Sequence, residues 1–211
     1  GVGVGMRNAA AVNLLNPAAY SAVRPKSFLF DFGLEGQCFY NSQKYYGQTL
    51  NTSYYTVNFH DIAFQLPIAK HLGLGFSLTP YSSVGYRMKQ EVDDDEIWGN
   101  IGRVQYQWDG DGDVTEVKLG LGWEIFRGFS IGIAAQYYWG DIQRIYKTAI
   151  LENITGGGLI ADATGTETYS VSRFKGQFGV QWSPISNRRR ILTIGATYDI
   201  GGDLNPNVTT K

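Results

Sequence analysis

The sequence has few of the residues on which several classes of protein depend. It contains one cysteine, Cys38, which excludes an internal disulfide framework and a cysteine-rich zinc site. Its two histidines, His60 and His71, leave few options for histidine-based catalysis or metal binding. Charged residues make up only 18% and the formal net charge is −1, so no basic excess indicates a nucleic-acid partner. The low charge, with 14% aromatic residues, also argues against a disordered chain.

Long hydrophobic runs are also missing. No stretch of about 18 apolar residues is present, so the sequence predicts no transmembrane helix. Tyrosine and phenylalanine are nevertheless abundant, at 14 and 11 residues, and glycine reaches 27. This composition does not exclude a membrane β-barrel, because the apolar residues of a barrel strand alternate with small or polar ones.

From Lys26 onward, apolar residues alternate with small or polar residues. Leu119, Leu121 and Trp123, for example, fall on the face opposite Lys118 and Gly120. A period of two over about ten residues is typical of a β-strand. The alternation predicts an antiparallel meander of about seven strands, with the segments at 26–39, 53–67, 70–86, 112–126, 128–146, 166–183 and 189–202.

Three features favour strands that cross a membrane. The segments approach 10–15 residues, whereas a tilted barrel strand needs about 9–11 and an average strand has about 5–6. Aromatic residues cluster near segment ends, as at Tyr54, Tyr137 and Trp182. Short connections at 67–70, 126–128 and 183–189 alternate with long polar ones at 40–52, 86–98 and 147–165. We therefore expect an all-β fold, an antiparallel transmembrane β-barrel.

The strand count suggests an incomplete barrel. Seven is odd, whereas single-chain bacterial barrels have even counts, so we infer that the chain is about half of a 14-stranded barrel. Residues 1–25 lack the alternation and are expected to form a separate N-terminal segment, with a short helix over about 7–15 that stops before Pro17. This segment would either fill the barrel interior as a plug, or hatch, or pack on the barrel as an ordered tail. Residues 26–211 then supply the barrel strands and external loops.

Three short stretches resemble motifs of a known family. Asn16-Pro17-Ala18 lies between a small-residue N-terminal stretch and the first predicted strand, and the other two stretches are 80–86 and 138–142. At the level of pattern, residues 1–202 resemble FadL-type outer-membrane proteins, in their Bacteroidota-type branch. The resemblance implies a 14-stranded barrel with an N-terminal plug, integral in the bacterial outer membrane. It further implies outer-membrane lipid around the protein and uptake of hydrophobic, fatty-acid-like molecules.

Three functions remain open at this point. Passive transport of hydrophobic small molecules predicts an apolar pocket between residues 1–20 and the barrel wall. A non-transporting accessory or scaffold subunit of an outer-membrane complex, such as a secretion or assembly machine, predicts an occluded lumen and envelope protein partners. A soluble lipid-binding β-barrel predicts an apolar interior.

Five residues are candidates for ligand binding. Asn16, Pro17 and Tyr20 belong to the expected plug, whereas His60 and Asp61 lie where the alternation slips. A β-bulge at this slip would place both side chains on the lumen side. No nucleophilic serine can be assigned beside the pair, so we expect no catalytic residues and no enzyme activity.

One acidic stretch is a candidate metal site. Asp109, Asp111 and Asp113 alternate with glycines, a spacing that resembles the start of a Ca²⁺ loop. The position of the later bidentate glutamate holds Gly120, so a solvated turn is the alternative. No other cofactor is expected. The arginines at 188–190 follow a short turn, where they would form a plain turn or contact anionic head groups or a periplasmic partner.

Overall fold

The computed structural model describes residues 2–45, 48–92, 103–152, 163–186 and 190–211. In these residues the fold is all-β, with two short 3-10 helices at Val2–Gly5 and Pro17–Ala22. The strands are β1 (Leu29–Tyr45), β2 (Gln48–Ala69), β3 (Leu72–Val92), β4 (Arg103–Phe126), β5 (Phe129–Glu152), β6 (Ala163–Ser186), β7 (Ile191–Ile200) and β8 (Asn207–Thr210). None of the described helices has the length and hydropathy of a membrane span.

The strands form one antiparallel sheet in the order β1-β2-β3-β4-β5-β6-β7, and β8 pairs with β6. This order confirms the seven-stranded meander. The continuation into a 14-stranded barrel and the plug stay predictions.

The expected long loop at 40–52 is wrong, because β1 and β2 pair without interruption from Leu29↔Gln65 to Tyr45↔Gln48 apart from one bulge. The alternation of apolar and polar residues does not mark these strand ends, because a strand pair that is exposed on both faces needs no apolar face. β3, β5 and β6 likewise extend into the ranges expected as long loops.

The expected helix over 7–15 is also wrong, and Asn13 supplies the physical reason. Its Oδ1 accepts hydrogen bonds from the backbone amides of Leu15 (2.8 Å) and Asn16 (3.3 Å). Its Nδ2 donates to the carbonyl oxygens of Gly3 (2.9 Å) and Met6 (2.7 Å). Such side-chain bonds to the backbone compete with helical hydrogen bonding. A 3-10 helix begins only at Pro17, after Asn16 as its N-cap.

The chain divides into two compact units. The first comprises Gly1–Pro80, Val117–Gln136 and Lys175–Gly201, so it contains the N-terminal residues and all of β1, β2 and β7. The second comprises Tyr81–Glu116, Tyr137–Phe174 and Gly202–Lys211. Within the second unit, Tyr81 and Tyr138 form an edge-to-face pair with ring centroids 4.9 Å apart, and the Arg144 guanidinium lies 5.1 Å from the Tyr169 ring centroid.

In the first unit, the two faces of the sheet differ in polarity. Leu119, Trp123 and Ile133 are 53%, 51% and 54% exposed, whereas Lys118 is 5% exposed. The face with low exposure carries glycine, glutamine, serine and lysine, among them Gln65, Ser77, Lys118, Ser130, Gln177 and Gln181. This pattern confirms the alternation and is the reverse of a soluble globular core. The soluble lipid-binding barrel predicts an apolar covered face, whereas the covered face of the first unit carries mainly small and polar residues.

Candidate functional site

Glycines on the covered face of the sheet receive the second 3-10 helix. We call these residues the glycine floor: Gly73, Gly75, Gly120, Gly122, Gly132 and Gly179. Tyr20 is 1% exposed, and its ring lies over two of them. A Cβ at Gly75 would be 2.6 Å from Tyr20 Cε2, and one at Gly120 would be 2.8 Å from the same atom. Any larger residue at these positions would displace the tyrosine.

Asn16 is fully buried and joins the N-terminal residues to β6. Its Nδ2 donates to the carbonyl oxygens of Val4 (2.9 Å) and Val180 (3.2 Å). Its Oδ1 accepts from the Ala18 amide at 3.0 Å, which is the capping bond of the 3-10 helix. Both polar atoms of the side chain are thus paired within the chain.

Polar side chains on β2, β4 and β6 hold the same segment. Lys118 Nζ donates to the Leu14 carbonyl (2.8 Å) and to Gln177 Oε1 (3.2 Å). Gln65 Nε2 donates to the Asn13 carbonyl at 3.2 Å. Gln181 Nε2 donates to the carbonyls of Val4 and Met6, each at 3.0 Å. We call residues 3–23 the docked segment. Sequence reasoning missed these anchors, although their polar types on an otherwise small-residue face were a usable signal.

The structure brings together three of the five predicted ligand-binding residues. Asn16, Pro17 and Tyr20 all lie in the docked segment and are buried against the sheet. Their side chains are occupied by intrachain contacts. Ligand binding by these residues stays a prediction.

His60 and Asp61 lie at a different place, the pairing of β2 with β1. The register shift between Gly33 and Leu34 leaves His60 as an extra residue, which confirms the predicted β-bulge. His60 Nδ1 is 2.7 Å from Asp61 Oδ1, and both side chains lie over Gly33. The imidazole is 62% exposed and the carboxylate 6% exposed. The pair therefore has one solvent-facing and one covered member.

The three aspartates of the candidate metal site lie in β4, so the solvated turn is wrong. Gly112 lies between two of them with a φ of +131°, a conformation that favours glycine, and the strand continues through it. Asp109 accepts hydrogen bonds from Arg87 Nε (3.0 Å) and Gln107 Nε2 (2.6 Å). Across the described ranges, no three acidic, histidine or cysteine side chains are grouped to hold a metal ion. Calcium binding stays a prediction.

A cavity of about 850 Å³ lies beside the docked segment, at the short turns of the first unit. Its walls come from residues 21–25, the β2–β3 turn, the β4–β5 turn and the end of β6. The described part of its lining includes four permanent cations, Arg7, Arg24, Lys70 and Arg127, and we call this cavity the basic cleft. Of the arginines at 188–190, only Arg190 falls within the described residues.

One carboxylate, Glu124, lines the basic cleft and is already engaged. Its Oε2 lies 3.8 Å from Arg7 NH2 and 3.1 Å from His71 Nδ1, and its Oε1 accepts from the Gly128 amide at 3.1 Å. Arg7 NH1 also donates to Ser21 Oγ at 3.0 Å. Burial lowers the pKa of Arg7 below its usual value, while the Glu124 carboxylate opposes this shift. The guanidinium remains cationic regardless.

Comparison with known proteins decides the family. A family model described as BamG matches residues 1–211. The chain belongs to the BamG family. This family is associated with the BAM complex. No curated protein and no solved structure matches the chain.

Membership of the BamG family overturns the FadL-type assignment. The Asn16-Pro17-Ala18 motif misled because its residues have local tasks here. Asn16 caps the 3-10 helix that Pro17 begins, and Ala18 packs on Gly132. Any chain that docks such a turn on glycines can use these residue types. The cavity that borders the docked segment of this BamG-family chain is lined by charged or polar residues and by apolar residues alike, and its cations Arg7, Arg24, Lys70 and Arg127 distinguish it from the apolar pocket that the transport interpretation predicts.

Proposed function

We propose that this chain is an accessory subunit of an outer-membrane protein complex, the BAM complex. The observation that carries the proposal is the family match over residues 1–211, because the family is associated with that complex. It agrees with the accessory-subunit alternative, which expects envelope protein partners.

The exposed apolar face supports integral insertion in the outer membrane. Leu119, Trp123 and Ile133 would lie among lipid chains, while the polar groups of the covered face bond with the docked segment. Lipid-facing apolar residues that alternate with polar ones on the opposite face are typical of outer-membrane strands.

Passive transport of hydrophobic molecules has less support. The glycine floor is filled by Tyr20 and Pro17, and several buried hydrogen bonds hold the docked segment in place. An apolar solute that replaced this segment would leave Lys118 and Gln65 without the carbonyl acceptors they now have.

The proposal is tested by recovery of partners from membranes. A tagged full-length protein is extracted from outer membranes in a mild detergent and purified through its tag, beside an equally tagged, unrelated outer-membrane protein. We expect envelope proteins, including the BAM components, to accompany only the first protein in fixed proportions. Quantitative extraction of the protein alone, with partners absent after chemical crosslinking as well, would contradict the proposal.

Insertion is measured on the same membranes. An integral protein stays in the pellet after washing with alkaline carbonate and enters the soluble fraction only with detergent. Release by carbonate alone would refute integral insertion and leave a peripheral subunit.

A further inference from the structure

The basic cleft concentrates positive charge on a chain whose formal net charge is only −1. The whole sequence carries 18 lysines and arginines against 19 aspartates and glutamates. Among the described residues of its lining, the cleft nevertheless brings four permanent cations together with one carboxylate, that of Glu124. Because Glu124 is already paired with Arg7 and His71, it offers little compensation to the other three.

These three cations, Arg24, Lys70 and Arg127, are exposed and come from separate parts of the chain. In the described residues, no ion pair joins any of them to a carboxylate. Like charges brought together in this way repel one another, and the repulsion is relieved when an anion binds. The cleft is therefore poised for a negatively charged occupant.

We propose that the basic cleft binds an acidic segment of a partner polypeptide, a stretch with several aspartates or glutamates. This inference rests on the proposed function and deepens it, because it specifies the chemistry of one partner of the complex. Short turns of outer-membrane barrels face the periplasm, so the partner segment would approach from that side.

The shape of the cleft favours a polypeptide over a membrane surface. Its volume of about 850 Å³ lies within the range of ordinary ligand pockets, about 300–1,000 Å³. The cations line a recess, which an extended chain can enter and a flat layer of head groups cannot. Ala22, Val23 and Ile191 also line it and offer apolar contacts to the aliphatic parts of a peptide.

The walls of the cleft are held by backbone hydrogen bonds. The Glu124 amide donates to the His71 carbonyl at 2.8 Å, and the Ser183 amide donates to the Gly128 carbonyl at 2.7 Å. The Arg24 carbonyl accepts from the amide and the hydroxyl of Ser27, at 3.2 and 2.6 Å. The backbone under the cations is thus fixed before a partner arrives, which lowers the entropic cost of binding.

The test uses the purified full-length protein in a nonionic detergent and a fluorescent octaglutamate peptide, followed by anisotropy. The main variant reverses two charges, Arg24→Glu with Arg127→Glu, and a milder variant carries Arg24→Gln with Arg127→Gln. Lys44→Glu is the matched control, because Lys44 is also exposed but lies far along β1 from the short turns. Octalysine, inorganic phosphate and phosphatidylglycerol vesicles are the competing probes.

We expect octaglutamate to bind the native protein. The double reversal should weaken its binding by about tenfold or more, because it replaces two attractive charge contacts with two repulsive ones and tenfold in affinity corresponds to about 1.4 kcal/mol. The glutamine pair should fall between, and Lys44→Glu should change binding less than about twofold. Binding should also weaken between 0.1 and 1 M salt, as the Debye length falls from about 10 to about 3 Å. Unfolding curves check that each variant is folded.

Three results would overturn the inference: no octaglutamate binding by the native protein, equal weakening by Lys44→Glu, or tighter binding to the vesicles or to free phosphate than to the peptide. Tag recovery of the native complex is measured in parallel. If the complex is recovered but octaglutamate does not bind, the cleft inference fails and the proposed function stands. If octaglutamate binds but no complex is recovered, the proposed function fails.

Discussion

Replacing Asn16 with alanine is expected to loosen the docked segment. The change removes three hydrogen bonds, to the Val4 and Val180 carbonyls and from the Ala18 amide. Each contributes about 0.5–1.5 kcal/mol net. The Val4 carbonyl keeps a donor, Gln181 Nε2, whereas the Ala18 amide loses its capping partner in a fully buried place. We therefore expect a loss of about 2–4 kcal/mol in the free energy that holds the segment in place.

Trypsin cleavage after Arg7 measures this free energy directly. The Arg7 side chain is 15% exposed and bonded to Ser21, so cleavage requires the segment to open. When opening is fast relative to cleavage, the rate follows the population of the open form. A loss of about 2–4 kcal/mol then raises the rate roughly 30- to 1,000-fold, at tenfold for about 1.4 kcal/mol. Mass spectrometry of the released N-terminal peptide gives the rate.

Two further variants separate the causes. Asn58→Ala removes an exposed asparagine with a single side-chain bond, to Thr56, and should change the rate little. Asn16→Asp keeps the capping oxygen for the Ala18 amide but turns an acceptor toward the Val4 and Val180 carbonyls. It should therefore open the segment at least as much as Asn16→Ala. A rate for Asn16→Ala within twofold of the native rate would refute the reasoning.

Three other substitutions test the floor, the exposed face and the cleft pair. Gly75→Ala should cost about 1–3 kcal/mol in unfolding because its Cβ would meet the Tyr20 ring, whereas Gly85→Ala, with open space around it, should cost less than 1. Ile133→Lys should lower folding into lipid vesicles by about 2–4 kcal/mol if residue 133 faces lipid, and Ile133→Ala far less; equal yields would exclude lipid contact. Glu124→Gln removes the carboxylate partner of Arg7 and should lower the free energy of unfolding in urea by about 1 kcal/mol. This loss should be smaller in high salt, and a loss that does not depend on salt would argue against an ionic contribution.

The number and polarity of the strands could be predicted from the sequence, but their ends could not. Alternation has a physical cause, since successive side chains of a strand point to opposite faces. It marks a strand wherever the two faces meet different surroundings, as around Lys118 and Leu119. Between 40 and 52, the side chains of β1 and β2 whose exposure the structure describes are solvent-exposed, so no alternation is required there. The strand pairing there rests on backbone hydrogen bonds, which composition does not reveal.

The site depends on register more than on local sequence. The composition of residues 1–25 marked them as a separate element, and the slip at His60 located the bulge. The alternation places the polar anchors on the covered face, but it does not reveal their partners, because Lys118 meets the Leu14 carbonyl across 104 residues. The basic cleft joins Arg24, Lys70 and Arg127 from three turns in the same way. Each of these cations alone is ordinary for a turn, and only the sheet order makes them neighbours.

The docked segment connects the glycine floor to the basic cleft. Its Tyr20 fills the floor, while its Arg7 bonds with Ser21 and approaches Glu124 at the cleft wall. A segment that left the floor would therefore also take Arg7 away from Glu124, which would keep His71 and the Gly128 amide as partners. The cleft would then hold three cations instead of four beside the same carboxylate, so an acidic partner would be attracted less strongly. If the cleft binds an acidic segment, docking of the N-terminal residues and binding at the cleft are expected to favour each other, which would give the buried polar anchors a role in partner recognition as well as in stability.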